Sequence, residues 1–254
     1  MNWSFQMFSA RHTPLSDALR IIKQAGYSSV EAYRDNFIDV DAFRNALNDN
    51  ELSVPSMHVN IDRLRDDSQG SMQLARDFTC EHIVCPYLEA SERPVDANGW
   101  DALGAELADF ARQWRAEGFT FAWHNHDFEF VALPDGTLPM QRLLDAAPQM
   151  QWELDAAWVV RAGADPAPWI ERHAARISAV HLKDVAATGT CEDEDGWADL
   201  GYGVVPWDTL MPLLAKAPAQ LYAVEHDNPS DLKRFATRSI EAARQLNKLS
   251  TNHS

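Results

Sequence analysis

The chain has 254 residues, of which 46% are hydrophobic and 10% aromatic, so it can bury a large core. The ordinary numbers of Pro (13) and Gly (11) exclude collagenous and low-complexity proteins. The eleven Phe and nine Trp residues argue against intrinsic disorder, because their burial can offset the ordering entropy. The 38 Asp and Glu residues outnumber the 22 Lys and Arg residues, and the formal net charge of −16 argues against nucleic-acid binding.

Short β-rich runs alternate with helical patterns along the chain. Strands are predicted at residues 3–8, 28–33, 52–59, 82–87, 119–124, 151–155, 177–182 and 220–225. Apolar residues at helical spacing lie between them, as in residues 15–22 and 103–114. Gly26 and Gly118 are placed to end helices, while Pro14, Pro166 and Pro206 are placed to begin them.

Eight strands separated by helices predict a single-domain α/β protein, a (β/α)8 TIM barrel with parallel strands. An open nucleotide-binding sheet would carry a Gly-rich first turn, but residues 9–12 read Ser-Ala-Arg-His. We predict one barrel over residues 1–248 and a polar C-terminal tail over residues 249–254.

The N-terminal sequence and the cysteines indicate where the protein is found. Residues 1–6 lack the basic and long apolar regions of a signal peptide, and no stretch approaches the roughly 20 apolar residues of a membrane span. Cys80, Cys85 and Cys191 are odd in number and lack metal-finger spacing. We therefore expect a reduced, soluble, cytoplasmic protein without membrane or nucleic-acid partners, and the sequence leaves a homo-oligomer open.

Polar residues end many of the predicted strands, where the active site of a TIM barrel lies. They are Gln6, Glu31, His58, His124 with His126, Asp155, His181 and Glu225. One such Asp can instead cap the next helix, and one such His can be a hydrogen-bonded core residue. Several ionisable groups in one barrel mouth, however, need mutual neutralisation or a cation. Imidazole and carboxylate donors favour one divalent ion, with Mn²⁺ preferred and Mg²⁺, Co²⁺ or Zn²⁺ as alternatives.

Seven segments in matching order resemble the xylose isomerase-like TIM-barrel superfamily, the sugar phosphate isomerase/epimerase group. They are residues 6–9, 26–31, 123–130 (Trp-His-Asn-His-Asp-Phe-Glu-Phe), 153–158 (Glu-Leu-Asp-Ala-Ala-Trp), 181–184 (His-Leu-Lys-Asp), 201–203 and 224–227. The resemblance spans almost the whole chain. It implies a metal-dependent enzyme whose substrate is a small carbohydrate.

The resemblance also implies a set of metal ligands at the ends of the fifth to eighth strands. Asp155, His181 and Glu225 match the last three of these positions. The family has Glu at the end of the fifth strand, whereas this chain has His124, which we expect as the fourth ligand with His126 as the alternative. In family epimerases two glutamates flank the reacting carbon, so the change at position 124 puts that proton exchange in doubt.

The implied chemistry begins with removal of a proton next to a carbonyl, through a metal-stabilised enediolate. Return of the proton gives isomerisation or epimerisation of a sugar or keto-sugar, which is the leading hypothesis. Loss of a β-substituent gives a lyase or dehydratase acting on a keto-sugar, keto-glycoside or keto-inositol, which is the alternative. A non-catalytic sugar-binding subunit is a third hypothesis.

Individual roles follow from the same resemblance. We expect proton transfer by Glu225, His126 and Glu129. The expected substrate contacts are Gln6, Glu31, His58, Trp158, Lys183 and Arg161. For Lys183 the default alternative is an ion pair with Asp184. Because the chain has no Gly-rich phosphate loop, a neutral carbohydrate is preferred over a sugar phosphate.

Overall fold

Eight parallel strands close into a barrel in the computed structural model, which describes residues 2–251. The barrel strands are β1 (Asn2–Gln6), β2 (Ser29–Ala32), β3 (Ser53–His58), β4 (His82–Cys85), β5 (Thr120–His124), β6 (Gln151–Asp155), β7 (Ile177–Leu182) and β10 (Leu221–Val224). They follow chain order around the barrel, and β10 pairs with both β7 and β1 to close it. The predicted TIM barrel is confirmed.

Helices surround the strands. They are α1 (Leu15–Ala25), α2 (Val40–Asp49), α3 (Ile61–Asp66), α4 (Ser68–Asp77), α5 (Ala97–Ala116), α6 (Pro139–Ala146), α7 (Ala156–Arg161), α8 (Pro166–His173), α9 (Trp207–Leu214) and α10 (Leu232–Thr251). Helix α10 extends three residues into the segment predicted as a tail, and residues 252–254 lie outside the described part. Within residues 2–251, no helix combines the length and apolar character needed to cross a membrane.

The predicted helix boundaries have clear local causes. Pro14 and Pro206 occupy the N-cap positions of α1 and α9, and Pro166 is the first residue of α8. Gly26 adopts a φ of +104° and donates its N–H to carbonyls of the last turn, which ends α1. Gly118, with a φ of +90°, follows the end of α5.

Two predicted strands end two residues earlier than expected, while β2, β3, β5 and β10 are shorter by a single residue at one or both ends. Strand β1 ends at Gln6 because the Gln6 side chain accepts a hydrogen bond from the Phe8 N–H at 3.1 Å, and residues 7–10 form a 3-10 helix. Strand β4 ends at Cys85, directly before Pro86, which has no N–H to donate to a neighbouring strand. A short antiparallel ribbon of β8 (Asp184–Val185) and β9 (Trp197–Ala198) was not predicted.

Alternate strand residues face different surroundings. One set packs with the helices in the hydrophobic core and includes Phe5, Val30, Met57, Ile83, Trp123, Leu154, Val180 and Val224. The other set faces the barrel interior. It is small near the N-terminal ends, with Ser4, Ser29, Ser56, Ala122, Ala179 and Ala223, and strongly polar above them. The helix–strand interface therefore supplies the apolar core, while the interior holds polar groups.

Helices α5 and α6 approach closely at Gly104, where an added Cβ would lie 2.6 Å from the Cβ of Ala146. We expect Gly104→Ala to lower the free energy of unfolding by about 1–3 kcal/mol. This loss would occur although Ala favours a helix over Gly by about 1 kcal/mol. Urea denaturation measures the change. The control Ala105→Ser, at the exposed neighbouring position, should change the free energy of unfolding by less than about 0.5 kcal/mol. Equal stability of Gly104→Ala and wild type would contradict the packing argument.

Candidate functional site

A cavity of about 450 Å³ opens at the C-terminal ends of the strands. Four aromatic residues, Phe8, Tyr33, Tyr87 and Trp158, form part of its wall. The other lining residues are mostly polar or charged: Arg34, Asp35, His58, Asn60, Pro86, Glu89, His124, His126, Glu225 and Asp227. A concave site of this size, with aromatic walls and convergent polar groups, suits a small-molecule ligand.

Four buried residues at the base of this cavity form a group that we call the upper set: His124, Asp155, His181 and Glu225. One ligand atom from each lies within 4.8 Å of the others. The Nδ1 atom of His181 lies 2.9 Å from Oε2 of Glu225 and 4.0 Å from Oδ2 of Asp155. The structure therefore brings together the four residues expected as metal ligands.

Asp155 caps the following helix with one carboxylate oxygen and directs the other into the upper set. Its Oδ1 accepts a hydrogen bond from the Trp158 N–H at 2.9 Å and so caps α7. Its Oδ2 is buried and has no hydrogen-bond partner among the described residues. Burial raises the pKa of Asp155 to about 7. The Lys183 ammonium lies 3.9 Å from Oδ2 and offsets part of this cost, and a metal ion in direct contact with Oδ2 would offset more of it.

The donor chemistry of the upper set fits a divalent ion. Two carboxylates and two imidazoles suit Zn²⁺, Mn²⁺ or a similar metal. Burial, reinforced by the charge of His181, lowers the pKa of His124 to about 4, so His124 is the neutral imidazole that a metal ligand must be. Together with the unpartnered oxygen of Asp155, these properties make the upper set a suitable metal site.

Beneath the upper set lies Glu153, which is fully buried and which is absent from the site residues predicted from the sequence. Its Oε2 lies 2.9 Å from Nε2 of His58, 3.2 Å from Nδ1 of His124 and 3.1 Å from Nε2 of His181. Burial opposes ionisation, but the nearby imidazoles, His181 above all, hold the pKa of Glu153 well below its usual range. The signal was available, because Glu153 precedes Asp155 by two residues and shares its face of β6.

Glu31 and Gln6 also lie beneath the cavity. Oε1 of Glu31 is 2.7 Å from Nε2 of His181 and 3.2 Å from Nε2 of His58, and it accepts a hydrogen bond from Nε2 of Gln6 at 2.8 Å. Neither Glu31 nor Gln6 is among the cavity-lining residues, unlike His58 and Trp158. Of these expected substrate contacts, the structure thus places two at the cavity and two below it.

Lys183 is 1% exposed and makes ion pairs across the barrel. Its Nζ lies 2.5 Å from Oδ1 of Asp227 and 3.2 Å from Oε2 of Glu225. The rings of Trp158 and Trp197 cover it, with centroids at 4.8 and 4.2 Å from Nζ. Its Nζ also lies 3.9 Å from Oδ2 of Asp155. Lys183 therefore compensates the charge of three carboxylates, and it is absent from the cavity lining in the described chain.

The predicted pairing of Lys183 with Asp184 is wrong. The Asp184 carboxylate accepts hydrogen bonds from the backbone N–H groups of Val185, Gly201 and Val205 at 2.9–3.0 Å, and so fixes the loop after β9. The Lys183 ammonium instead pairs with Asp227 and Glu225.

Arg161 also lies away from the cavity lining. Its guanidinium stacks on the ring of Trp197 at 4.2 Å and donates a hydrogen bond to the Asp195 carbonyl at 3.0 Å. These contacts tie Arg161 to the loop between β8 and β9.

The two expected proton-transfer residues after β5 differ in position. His126 lines the cavity, packs against the rings of Tyr87 and Trp158, and has no hydrogen-bond partner for Nδ1 in the described structure. Glu129 is fully buried: its carboxylate accepts hydrogen bonds from Nε1 of Trp123 at 3.0 Å and from the His126 N–H at 2.9 Å. This geometry favours a supporting role for Glu129, which holds the loop that carries His126.

The environment of Glu129 predicts a pH dependence of stability. Burial raises its pKa from 4.5 to about 8, so between these values the folded state holds a proton that the unfolded state releases. The contribution of Glu129 to the free energy of unfolding should therefore fall as pH rises through this window. In Glu129→Gln that slope should disappear, whereas the loss of a hydrogen-bond acceptor lowers stability at every pH. Urea denaturation of both proteins at about pH 5 and pH 8 measures the slopes; identical slopes would contradict the assignment.

The fold and the site define a TIM-barrel protein with a buried histidine–carboxylate centre at the C-terminal ends of its strands. The sequence matches the xylose isomerase-like TIM-barrel family over residues 19–249, and the chain belongs to this family. The resemblance identified from the sequence is confirmed.

One relative in sequence is the rhizopine catabolism protein MocC of Rhizobium meliloti, which is 26% identical over 194 residues. The match covers 68% of this chain and 58% of that protein, so the chain spans less than two thirds of the relative's length.

Solved structures with the same fold include enzymes of different names. A sugar phosphate isomerase/epimerase from Parabacteroides distasonis has a TM-score of 0.76 and 17% identity, with 96% of this chain and 93% of that chain covered. The probable 3-DHS dehydratase AsbF from Bacillus anthracis has a TM-score of 0.72, 14% identity and coverages of 96% and 99%. IolI with a bound zinc atom has a TM-score of 0.70, 15% identity and coverages of 100% and 99%. At these identities the likeness shows the fold.

Proposed function

We propose that the protein is a divalent-metal-dependent isomerase or epimerase of a neutral sugar or keto-sugar. The observation that carries this proposal is the upper set, in which Oδ2 of Asp155 is buried and unpartnered next to His181 and Glu225. The zinc atom in IolI and the isomerase/epimerase name of the Parabacteroides structure support it. A bound ion would stabilise negative charge on a substrate carbonyl oxygen as the adjacent proton leaves.

Two groups of this chain are placed to move that proton. Glu225 lines the cavity, and although burial opposes ionisation, Lys183 and His181 hold its pKa well below the usual range, so it is an ionised acceptor. His126 lines the same cavity with an unpartnered Nδ1, and β5 lies three strands from β10 around the barrel. We infer that a carboxylate and an imidazole share the proton transfer that two glutamates perform in family epimerases.

The lining of the cavity favours an uncharged substrate. Tyr33, Tyr87, Phe8 and Trp158 offer aromatic faces of the kind that pack against sugar rings. Arg34 is the one Lys or Arg among the lining residues of the described chain, and its guanidinium is paired with Asp35 at 2.9 Å. The remaining charged carboxylates would repel a phosphate group.

A lyase or dehydratase is the second candidate function. The reason is His124, which replaces one of the two family glutamates and so weakens a symmetrical proton exchange. The probable dehydratase AsbF, which has the same fold, supports this candidate. Both reactions begin with the same proton removal, so products must separate them.

The test is an incubation of the Mn²⁺-loaded protein with neutral aldoses, ketoses, keto-glycosides and keto-inositols in D₂O, followed by NMR. Deuterium at a substrate carbon without loss of a leaving group supports the isomerase or epimerase. A released leaving group or water supports the lyase. Binding without deuterium exchange, unchanged in Glu225→Gln, would overturn both and indicate a sugar-binding subunit.

A further inference from the structure

A second convergence of ligand atoms lies one layer beneath the upper set. We call it the lower set: Glu31, His58 and Glu153, with Nδ1 of His124 and Nε2 of His181. Three imidazole nitrogens, one from each histidine, lie 2.9–3.2 Å from Oε2 of Glu153. All five residues are buried, and no more than 8% of any one is exposed.

The lower set has more acceptor atoms than the protein satisfies. Oε1 of Glu153 and Oε2 of Glu31 are both buried without a hydrogen-bond partner among the described residues. Nδ1 of His124 lies 3.2 Å from Glu153 but without hydrogen-bond geometry. Buried polar atoms without partners are uncommon in folded proteins, and an ion bound at the convergence on Oε2 of Glu153 would supply the partner that Nδ1 of His124 lacks.

The spacing and charge of these atoms match a four-coordinate ion. Around a tetrahedral Zn²⁺ with bonds of about 2.0–2.1 Å, neighbouring ligand atoms are about 3.3–3.4 Å apart. The three separations from Oε2 of Glu153 are close to this value, and the ligand atoms of His58, His124, Glu153 and His181 all lie within 4.8 Å of one another, so side-chain adjustments would admit an ion. The four ligands would be Glu153 and the three imidazoles, with the Glu31 carboxylate beside them at 2.7 Å from Nε2 of His181. Once an ion displaces the imidazole protons, the two carboxylates leave a charge of −2, which one divalent ion balances. Three nitrogen donors favour Zn²⁺ or Co²⁺ over Mg²⁺.

We propose that the lower set is a second divalent-cation position, selective for zinc-like ions and alternative to the upper set. The two positions use opposite nitrogens of His181, since Nδ1 faces Glu225 whereas Nε2 faces Glu31 and Glu153. A neutral imidazole has one free nitrogen, so His181 serves one ion at a time. His58 and His124 line the cavity and give an ion access to the lower position.

A zinc-like ion bound in the lower set therefore leaves His181 unavailable as a ligand for an ion in the upper set. The existence of the lower position does not depend on the proposed reaction, but this inhibitory effect rests on the proposed function. We expect one ion per chain with either metal, and we expect Zn²⁺ to lower the activity supported by Mn²⁺.

The test uses variants that each alter only one of the two proposed cation positions. His58→Gln and Glu153→Gln alter the lower set, and Glu225→Gln alters the upper set. The metal-free full chain of each variant is titrated with Zn²⁺, Mn²⁺ and Co²⁺, with elemental analysis and the Co²⁺ visible spectrum as readouts. His173→Gln, on α8, is the matched control for loss of a histidine.

We expect Zn²⁺ affinity to fall at least about tenfold in both lower-set variants, with Mn²⁺ affinity nearly unchanged. Glu225→Gln should show the reverse and keep the intense Co²⁺ spectrum of a tetrahedral site. Circular dichroism tests whether each variant is folded. Two lower-set variants are used so that the test remains valid if one of them does not fold. Wild-type Zn²⁺ affinity in both lower-set variants would overturn the lower position and leave the proposed function standing. Loss of all metal in the lower-set variants alone would support the lower position and overturn the upper set.

Discussion

Replacement of Glu225 by Gln should abolish turnover, with a fall in kcat of at least about 10³-fold. The amide keeps the size of the side chain but loses its charge, and that charge faces Nδ1 of His181 and Nζ of Lys183 at 2.9 and 3.2 Å. The variant would lack both a ligand of the upper set and the proposed proton acceptor. Rates and bound Mn²⁺ should be measured together, because the two roles predict that both decrease.

The same substitution at an exposed position provides the control. Glu171 lies on α8, away from the barrel mouth, and Glu171→Gln should keep wild-type turnover and metal content. If Glu225→Gln bound one Mn²⁺ per chain with wild-type affinity and retained its rate, neither role of Glu225 would stand.

Lys183→Met should lower the free energy of unfolding of the metal-free protein by roughly 3–5 kcal/mol, the usual cost of removing one partner from a buried ion pair. The ammonium of Lys183 lies 2.5 Å from Oδ1 of Asp227 and 3.2 Å from Oε2 of Glu225, and the three side chains meet under two tryptophan rings. Met fills similar space but leaves buried carboxylates without compensation. Urea denaturation gives the difference directly.

Two further variants separate charge from packing. Lys216→Met, at an exposed position, should change stability by less than about 0.5 kcal/mol. The double variant Lys183→Met/Asp227→Asn should recover part of the loss, because it removes one uncompensated charge. A loss below about 1 kcal/mol in Lys183→Met would show that the pair contributes little.

The barrel could be predicted because its strands and helices differ in the period of their apolar residues. Strands β6 and β7 agree with their predicted bounds to the residue. The predicted bounds of β1 and β4 extend too far because Phe8 and Tyr87 continue the apolar runs. Both residues line the cavity, and sequence alone does not distinguish an apolar residue of a cavity wall from one of the core.

The polar residues of the candidate site that lie at the strand ends could be predicted from the sequence, whereas a buried carboxylate beneath them was not predicted. Asp155 is the last residue of β6 and His181 lies one residue before the end of β7, and the family resemblance alone places them together. Glu153 lies two residues earlier on β6 and was not predicted, although strand period connects it to Asp155. The partner of Lys183 could not be inferred, because Asp227 is 44 residues away and meets it only when the barrel closes.

Outward apolar residues and inward polar residues alternate along the strands. The inward residues can therefore change without altering the packing between strands and helices that forms the wall of the barrel. Trp123 packs outward in the core, while its neighbours Ala122 and His124 face inward. An exchange at an inward position alters ligand type, charge or free volume and leaves the packing of the wall intact. His124, at the position where the family resemblance led us to expect glutamate, faces inward in this way. New chemistry can thus arise in this scaffold by single inward replacements that keep the buried charges balanced.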